Sequence, residues 1–388
     1  MAEEVGGTHE LQEKVRERNE RLKALREKLA EVRRREGNKD REIKALRAHL
    51  ARIQSPSSLA SSPGRQEVPV FFLVGQAKSG TSWLMRTLDA HPEILCKGEG
   101  RLFGRDYKRE DIKQMDTKTI QPSSLYRAIL DADYLNAWIE RSGWTRDDDK
   151  EEHLDGLTRA AIDYFLTEKL SRSGKRIVGD KTPFLNEKIV GEVSDIYPEA
   201  RVIHIIRDGR DAAVSSMHHF WNHPVDLGGR QDLGPEELAK RDAYREDPQG
   251  FLETGESLFT ESRLRNLAET WSLQVSQAMQ DGPKHFGERY AEVRYEDLLE
   301  EPEKEIVCLL GFLGADASRE SVEHCVGSAS FESWSRGRER GREDSTAFLR
   351  KGVSGDWKNV FTEKDRRIFK EVAGETLVKL GYEKGYDW

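Results

Sequence analysis

Between Leu11 and Ile53 apolar residues recur at alternating steps of four and three: Leu11, Val15, Leu22, Leu25, Leu29, Val32, Ile43, Leu46, Leu50 and Ile53. Arg18, Glu36 and Lys39 are the only breaks, and nearly everything between is charged. That spacing predicts a coiled-coil helix over residues 1–53, or a helical hairpin turned at Gly37-Asn38. Self-association into a homo-oligomer is the natural use of such a stripe. Residues 54–67 (QSPSSLASSPGRQE) carry no apolar period and read as a linker. The third unit is expected to fill residues 68–388.

Its pattern is different. Val68 to Val74 is a continuous apolar run broken only by Pro69, as in a strand buried on both faces. A helix follows over Trp83–Ala90. Arg176–Gly179 reads as a short strand before a helix over Asn186–Ile196. Arg201–Ile206 is another buried strand with a helix from Asp211, and Tyr290–Tyr295 a further one before a helix over Glu303–Phe312. Strands alternating with helices predict an α/β protein: a three-layer fold with a central parallel sheet. Ligands of such sheets sit at the carboxyl ends of strands. Ser124 to Ser173 reads as helical, whereas Asn222 to Thr260 is polar and weakly periodic. The latter is expected to be a lid or binding loop that shapes the substrate pocket.

Charge and cysteine content narrow the functions. Sixty-three Lys and Arg against 71 Asp and Glu leave a net charge of −8, which speaks against general nucleic-acid binding. Cys96, Cys308 and Cys325 are widely spaced, so neither a disulfide framework nor a zinc knuckle is expected. Met1-Ala2-Glu3-Glu4 does not open like a secretory signal, and no stretch has the roughly 20 apolar residues of a membrane span. A cytoplasmic location is the expectation.

The candidate chemistry begins after the first strand. Gly75-Gln76-Ala77-Lys78-Ser79-Gly80-Thr81-Ser82-Trp83 joins that strand to a helix. Backbone N–H groups of a glycine-containing loop there can close round a phosphate, with Lys78 as a point charge and three hydroxyls as donors. Gly75 and Gly80 have the glycine spacing of a nucleoside-triphosphate loop, but Thr81 stands where that motif requires lysine. The segment Lys78-Ser79-Gly80-Thr81-Ser82-Trp83 resembles instead the 5′-phosphosulfate loop, P-K-S-G-T-T-W, of sulfotransferases that use 3′-phosphoadenosine 5′-phosphosulfate (PAPS). Ala77 and Ser82 are its departures.

Two further segments extend the resemblance. Arg207 ends a strand, and Ser215 lies two turns into the next helix. Arg207-Asp208-Gly209-Arg210-Asp211-Ala212-Ala213-Val214-Ser215 is similar to the family's R-x-x-x-D-x-x-x-S. The resemblance implies that Arg207 and Ser215 hold the 3′-phosphate. Arg350-Lys351-Gly352-Val353-Ser354-Gly355-Asp356-Trp357-Lys358 resembles the R-K-G-x-x-G-D-W-K of the cytosolic members, two cations before a glycine that permits close approach. Tyr295, in Tyr-Glu-Asp-Leu, would by the same resemblance contact the adenine, as would Trp83; Phe331 is a weaker candidate.

The general base is read from context. Cytosolic members carry K-T-H where this chain has Asp180-Lys181-Thr182-Pro183, which looks more like the E-K-S/T-P of carbohydrate sulfotransferases. Those enzymes use a glutamate after the second strand. Glu99 is the residue in that position, with Lys181 as a second cation beside the sulfuryl group. His218 and His219 are the rival bases, while His204 lies in a buried strand and reads as a core residue. The resemblance thus implies sulfuryl transfer from PAPS to the hydroxyl (or amine) of a small-molecule or carbohydrate acceptor, with no metal. A small-molecule kinase using ATP and a non-catalytic nucleotide-binding adaptor are the alternatives.

Overall fold

The computed structural model describes residues 68–104, 124–184, 188–222 and 233–388, apart from 336, 343 and 345–350. The heptad-patterned residues 1–53, the linker, residues 223–232 and Arg350 lie outside the described residues. Five strands among the described residues form one sheet: β1 (Val70–Gly75), β2 (Ile94–Gly98), β3 (Ile177–Pro183), β4 (Arg201–Ile206) and β5 (Tyr290–Arg294). Their order is β2-β3-β1-β4-β5, and every neighbouring pair is parallel.

The central position of β1 explains its unbroken apolar run. Successive side chains on a strand point to opposite faces. Phe71 and Leu73 join Leu84, Leu88, Ile306 and Leu310 from the helices Thr81–Ala90 and Pro302–Leu313. Phe72 and Val74 join Val190, Val193, Ile162 and Phe286 on the other side, from Ile189–Ile196, Lys150–Ser171 and Glu261–Phe286. The sheet therefore lies between two helical layers. Each of these side chains is almost fully buried and contributes about 1.5–3 kcal/mol relative to exposure. A further core cluster joins Gly209–Asn222, Glu261–Phe286 and Glu363–Lys379 through Val214, Trp271, Phe369 and Leu377.

Several expected boundaries shift. The strand at Arg176 runs on through Asp180-Lys181-Thr182 to Pro183. The fifth strand stops at Arg294, and Tyr295 opens the short helix Tyr295–Glu300. Ser124–Ser173 is three helices, Leu125–Leu130, Asp133–Arg141 and Lys150–Ser171. The polar segment departs most. From Pro235 to Glu253 it forms two helices, and Tyr244, Phe251, Leu258 and Phe259 pack into the core. That part is scaffold, and its few large apolar residues were hidden among charged ones. No helix of the described residues is long and apolar enough to cross a membrane.

Strand order locates the site. From β1 the chain leaves towards β2 on one side, and from β4 towards β5 on the other. The crevice between those two carboxyl ends is the switch point at which such sheets accept ligands.

Candidate active site

The loop after β1 is held by its own backbone. Ser79 N–H donates to the Gln76 carbonyl at 3.1 Å, and the helix Thr81–Ala90 begins at once. Lys78 has φ 70° and Gly80 φ 93°, so the loop turns through the left-handed region twice. A Cβ on Gly80 would come within 2.5 Å of the Tyr295 ring, and only glycine tolerates both the φ and the contact. Tyr295 is thereby packed against the loop. Its ring stands edge-on to Trp83 at 5.9 Å and lies 4.4 Å from the Arg207 guanidinium. Trp83 Nε1 is fixed by the Ala329 carbonyl at 2.8 Å.

Arg207 spans the switch point. Its Nη1 donates to the Lys78 carbonyl at 2.9 Å and its Nη2 to the Val353 carbonyl at 3.2 Å. The neighbouring carboxylates are engaged elsewhere: Asp208 takes Arg210, and Asp211 accepts the N–H groups of Gly355 (2.6 Å) and Trp357 (2.9 Å). Asp211 thus fastens the Lys351–Trp357 loop to the helix that carries Ser215. Ser215 is half-buried one turn after Asp211, on the same helix face. In that loop Lys351 is tied to the buried Asp356 at 2.9 Å, and Gly352, at φ 67°, lies so close to Phe331 that a Cβ would meet its ring at 2.4 Å. Phe331 is hence a packing surface under the glycine.

The candidate base and its cation meet at the ends of β2 and β3. Lys181 is buried, and its Nζ donates to Glu99 Oε1 at 2.6 Å and to Ser82 Oγ at 3.3 Å. This links β2, β3 and the phosphate loop through one ammonium. Glu99 itself is 57% exposed in its side chain. The Lys181 hydrogen bond, helped by the charges of Arg101 and His219, holds its carboxyl below the usual glutamate range. Glu99 and Arg101 have φ 58° and 48°. With Lys78, they are the non-glycine residues at positive φ among the described residues, and such strain costs about 1–3 kcal/mol per residue. Backbone pairing sustains it: Glu99 N–H donates to the Lys181 carbonyl (2.9 Å), and Gly100 N–H to the Asp180 carboxylate (3.2 Å). Thr182 Oγ1 holds the other oxygen of Asp180 at 2.6 Å.

The three histidines separate cleanly. His204 is a core residue against Phe184, with Nδ1 2.7 Å from the Tyr290 hydroxyl, and burial pulls it down to about 3. His218 is buried edge-on against Trp221 and Tyr244. His219 is half-buried and acts electrostatically on Glu99.

Lys78, Lys181 and Arg207 gather positive charge near Glu99, with Asp180 beside Lys181 and Asp211 beside Arg207. Burial, then the charges of Arg207 and Lys181, pulls the Lys78 ammonium down to about 8. Ser79 Oγ, Gln76 Oε1 and Arg207 Nε are buried without a hydrogen-bond partner, a costly arrangement in a native interior. Two of these three are donors, and with the ammonium they suit phosphate oxygens. The donor set therefore fits an anionic, phosphate-bearing ligand. Asp180, Asp211 and Trp271, whose Nε1 holds the Arg207 carbonyl at 3.1 Å, are supports not singled out as site residues. Both aspartates stand inside the quoted motifs, whereas Trp271 has no local signal.

A parallel sheet between helical layers, with a cationic loop at its switch point, defines an α/β protein. The family follows from a wider match: a model described as the sulfotransferase domain covers residues 69–381, and the chain belongs to that family. Bovine sulfotransferase 1A1 is 28% identical over 196 residues, 45% of this chain and 56% of the relative. Chicken protein-tyrosine sulfotransferase 2 is 26% identical over 172 residues, 42% of this chain and 37% of the relative. The chain thus spans about half the length, or less, of these curated relatives. Among solved structures, mouse sulfotransferase SULT7A1 complexed with PAP is similar at a TM-score of 0.44 and 19% identity, covering 80% of this chain and 86% of that one.

Proposed function

We propose that this chain transfers a sulfuryl group from PAPS to an acceptor hydroxyl and releases adenosine 3′,5′-bisphosphate. The observation that carries this reading is the Arg207 guanidinium bound to the Lys78 carbonyl across the switch point. It joins a loop suited to a 5′-phosphosulfate to an arginine suited to a second phosphate.

On this reading Lys78, Ser79, Gly80, Thr81, Ser82 and Trp83 hold the phosphosulfate end. Arg207, Ser215, Arg350, Lys351 and Gly352 hold the 3′-phosphate, and Tyr295 with Trp83 lines the adenine. Bound there, PAPS brings the sulfuryl group and a phosphate leaving group. Glu99 takes the acceptor proton as the acceptor oxygen forms its bond to sulfur and the sulfur–phosphate oxygen bond breaks. Lys181 keeps Glu99 ionised and, with Lys78, stabilises charge growing on the departing oxygen. The negative charge of that step develops among three fixed cations, which is where preorganisation lowers the barrier.

The acceptor belongs to the small-molecule or carbohydrate class; a protein tyrosine, the acceptor in the name of one relative, is the alternative. The layout is a coiled coil over 1–53, a linker over 54–67 and the sulfotransferase domain over 68–388. Free Cys96, Cys308 and Cys325 accord with a reducing, cytoplasmic setting. Incubation with sulfur-labelled PAPS and a panel of phenols, steroids and sugars tests the function. Labelled product with equimolar bisphosphate is expected. Absence of bisphosphate binding by calorimetry would remove the reading.

A further inference from the structure

Three residues after Arg207 stands a buried cation with no part in the reaction proposed above. Arg210 is 2% exposed. Its guanidinium carbon is 3.7 Å from the Trp357 ring centroid and 4.5 Å from that of Trp388. The two indoles stand 5.9 Å apart at 80°, so the cation occupies the corner between them. Nε and Nη2 grip both oxygens of Asp208 at 2.9 and 2.7 Å, and Nη1 reaches Glu383. All sides of a planar cation are thereby engaged.

The partners come from three separate segments. Asp208 follows Arg207, and its N–H donates to Glu296 Oε1 at 3.0 Å. Glu296 Oε2 in turn accepts the Tyr382 hydroxyl at 2.9 Å. Trp357 ends the loop that carries Lys351 and Gly352, and its N–H is held by Asp211, the residue after Arg210. Glu383 and Trp388 belong to the stretch after the helix Glu363–Lys379. Trp388 also lies beneath the Lys370 ammonium at 5.1 Å, and Tyr382 beneath Arg294 at 5.1 Å. A stretch of seven residues, 382–388, thus touches both segments assigned to the 3′-phosphate, and the contacts run through Arg210 and Glu296.

We infer that Tyr382–Trp388 is a positioning strap for the 3′-phosphate half of the cofactor site. Trp388 and Glu383 orient Arg210, and Arg210 sets the Arg207 turn and the Lys351–Trp357 loop at a fixed separation. The inference rests on the PAPS reading of that site. Tyr382, Glu383, Arg210 and Trp388 are positioning residues, acting on the ligand through Arg207 and Lys351. Arg207 also reaches the loop after β1 through the Lys78 carbonyl, but that loop is closed by its own Ser79–Gln76 hydrogen bond and packed on Tyr295, so loss of the strap disturbs it less than the 3′-phosphate half. The strap therefore governs recognition of the second phosphate rather than binding in general.

Calorimetry on the full chain, with adenosine 3′,5′-bisphosphate and adenosine 5′-monophosphate side by side, tests it. The unsubstituted chain is expected to prefer the bisphosphate. Trp388→Ala is expected to weaken bisphosphate binding by about tenfold or more and monophosphate binding by less than about threefold. Trp388→Phe should restore most of the loss, since a ring remains over the cation. Glu383→Gln, which leaves the indole corner intact, should give a smaller loss of the same selectivity and serves if Trp388→Ala fails to fold. An unchanged ratio of the two affinities in both variants, or an equal loss for both ligands, overturns the strap. A wild-type chain that does not distinguish the ligands overturns the PAPS reading itself.

Discussion

At Lys78, burial and two neighbouring cations act in one direction, drawing the ammonium down to about 8. Below that pH the side chain is charged and suited to phosphate; above it the free protein loses the charge. Affinity for adenosine 3′,5′-bisphosphate is therefore expected to be flat to about pH 8 and then to fall by up to about tenfold per pH unit. The fall ends at the higher pKa that the bound anion imposes. Calorimetric titrations from neutral to alkaline pH read this directly, and Lys78→Arg should abolish the break because guanidinium does not titrate there. A break that survives in Lys78→Arg would assign it to another group. Glu99 is displaced downwards, chiefly by Lys181. It is thus ionised at neutral pH, and the acid limb of the turnover profile should lie below the ordinary glutamate range. Glu99→Gln is expected to lower kcat by about 10²–10⁴-fold with bisphosphate affinity nearly unchanged. Full turnover in that variant would shift the role towards His219, since His218 is packed away among Trp221 and Tyr244.

Individual elements were legible where one physical signal dominated. The runs at Val70–Val74 and Val202–Ile206 are strands because both faces are buried, and Lys78 stands in a loop because glycines and hydroxyls interrupt the first run. Legibility fails where an element draws its stability from distant partners. Glu261–Phe286 is the longest helix described, yet charged residues on its outer face dilute the stripe of Leu264, Ala268, Trp271 and Val275. The helices over 235–253 are concealed likewise, and β3 runs past its apolar part because Asp180, Lys181 and Thr182 stay paired with the central strand β1. Lys351 is oriented by Asp356, a partner five residues away that its motif also contains. Gly80 tests how tightly loop and ring are joined. Its φ of 93° and the 2.5 Å approach of a Cβ to Tyr295 predict that Gly80→Ala costs about 1–3 kcal/mol. Bisphosphate affinity should fall with it, because Tyr295 must move from beneath Arg207. Thermal unfolding with and without bisphosphate checks both parts; a variant with unaltered stability and affinity would mean that the loop is compliant.

At the scale of the whole molecule, the sheet and its helical layers enclose four hydrophobic clusters among the described residues of 68–388. Every candidate site residue also falls within that span. The heptad stripe of residues 11–53 carries no phosphate-binding or acid–base group in a motif, so its proposed work is association. Two consequences separate the units. A chain starting at Val68 should bind adenosine 3′,5′-bisphosphate within about threefold of the full chain, a difference of less than about 1 kcal/mol. The full chain should sediment as an oligomer, with an association that weakens on dilution because folding and assembly of a coiled coil are linked by mass action. Removing residues 1–67 should leave a monomer whose unfolding midpoint no longer depends on concentration. Equal sedimentation of the two forms would reject self-association through the stripe. A large loss of bisphosphate affinity on deletion would instead mean that the cofactor site draws on residues before Val68, and the division of labour along the chain would have to be redrawn.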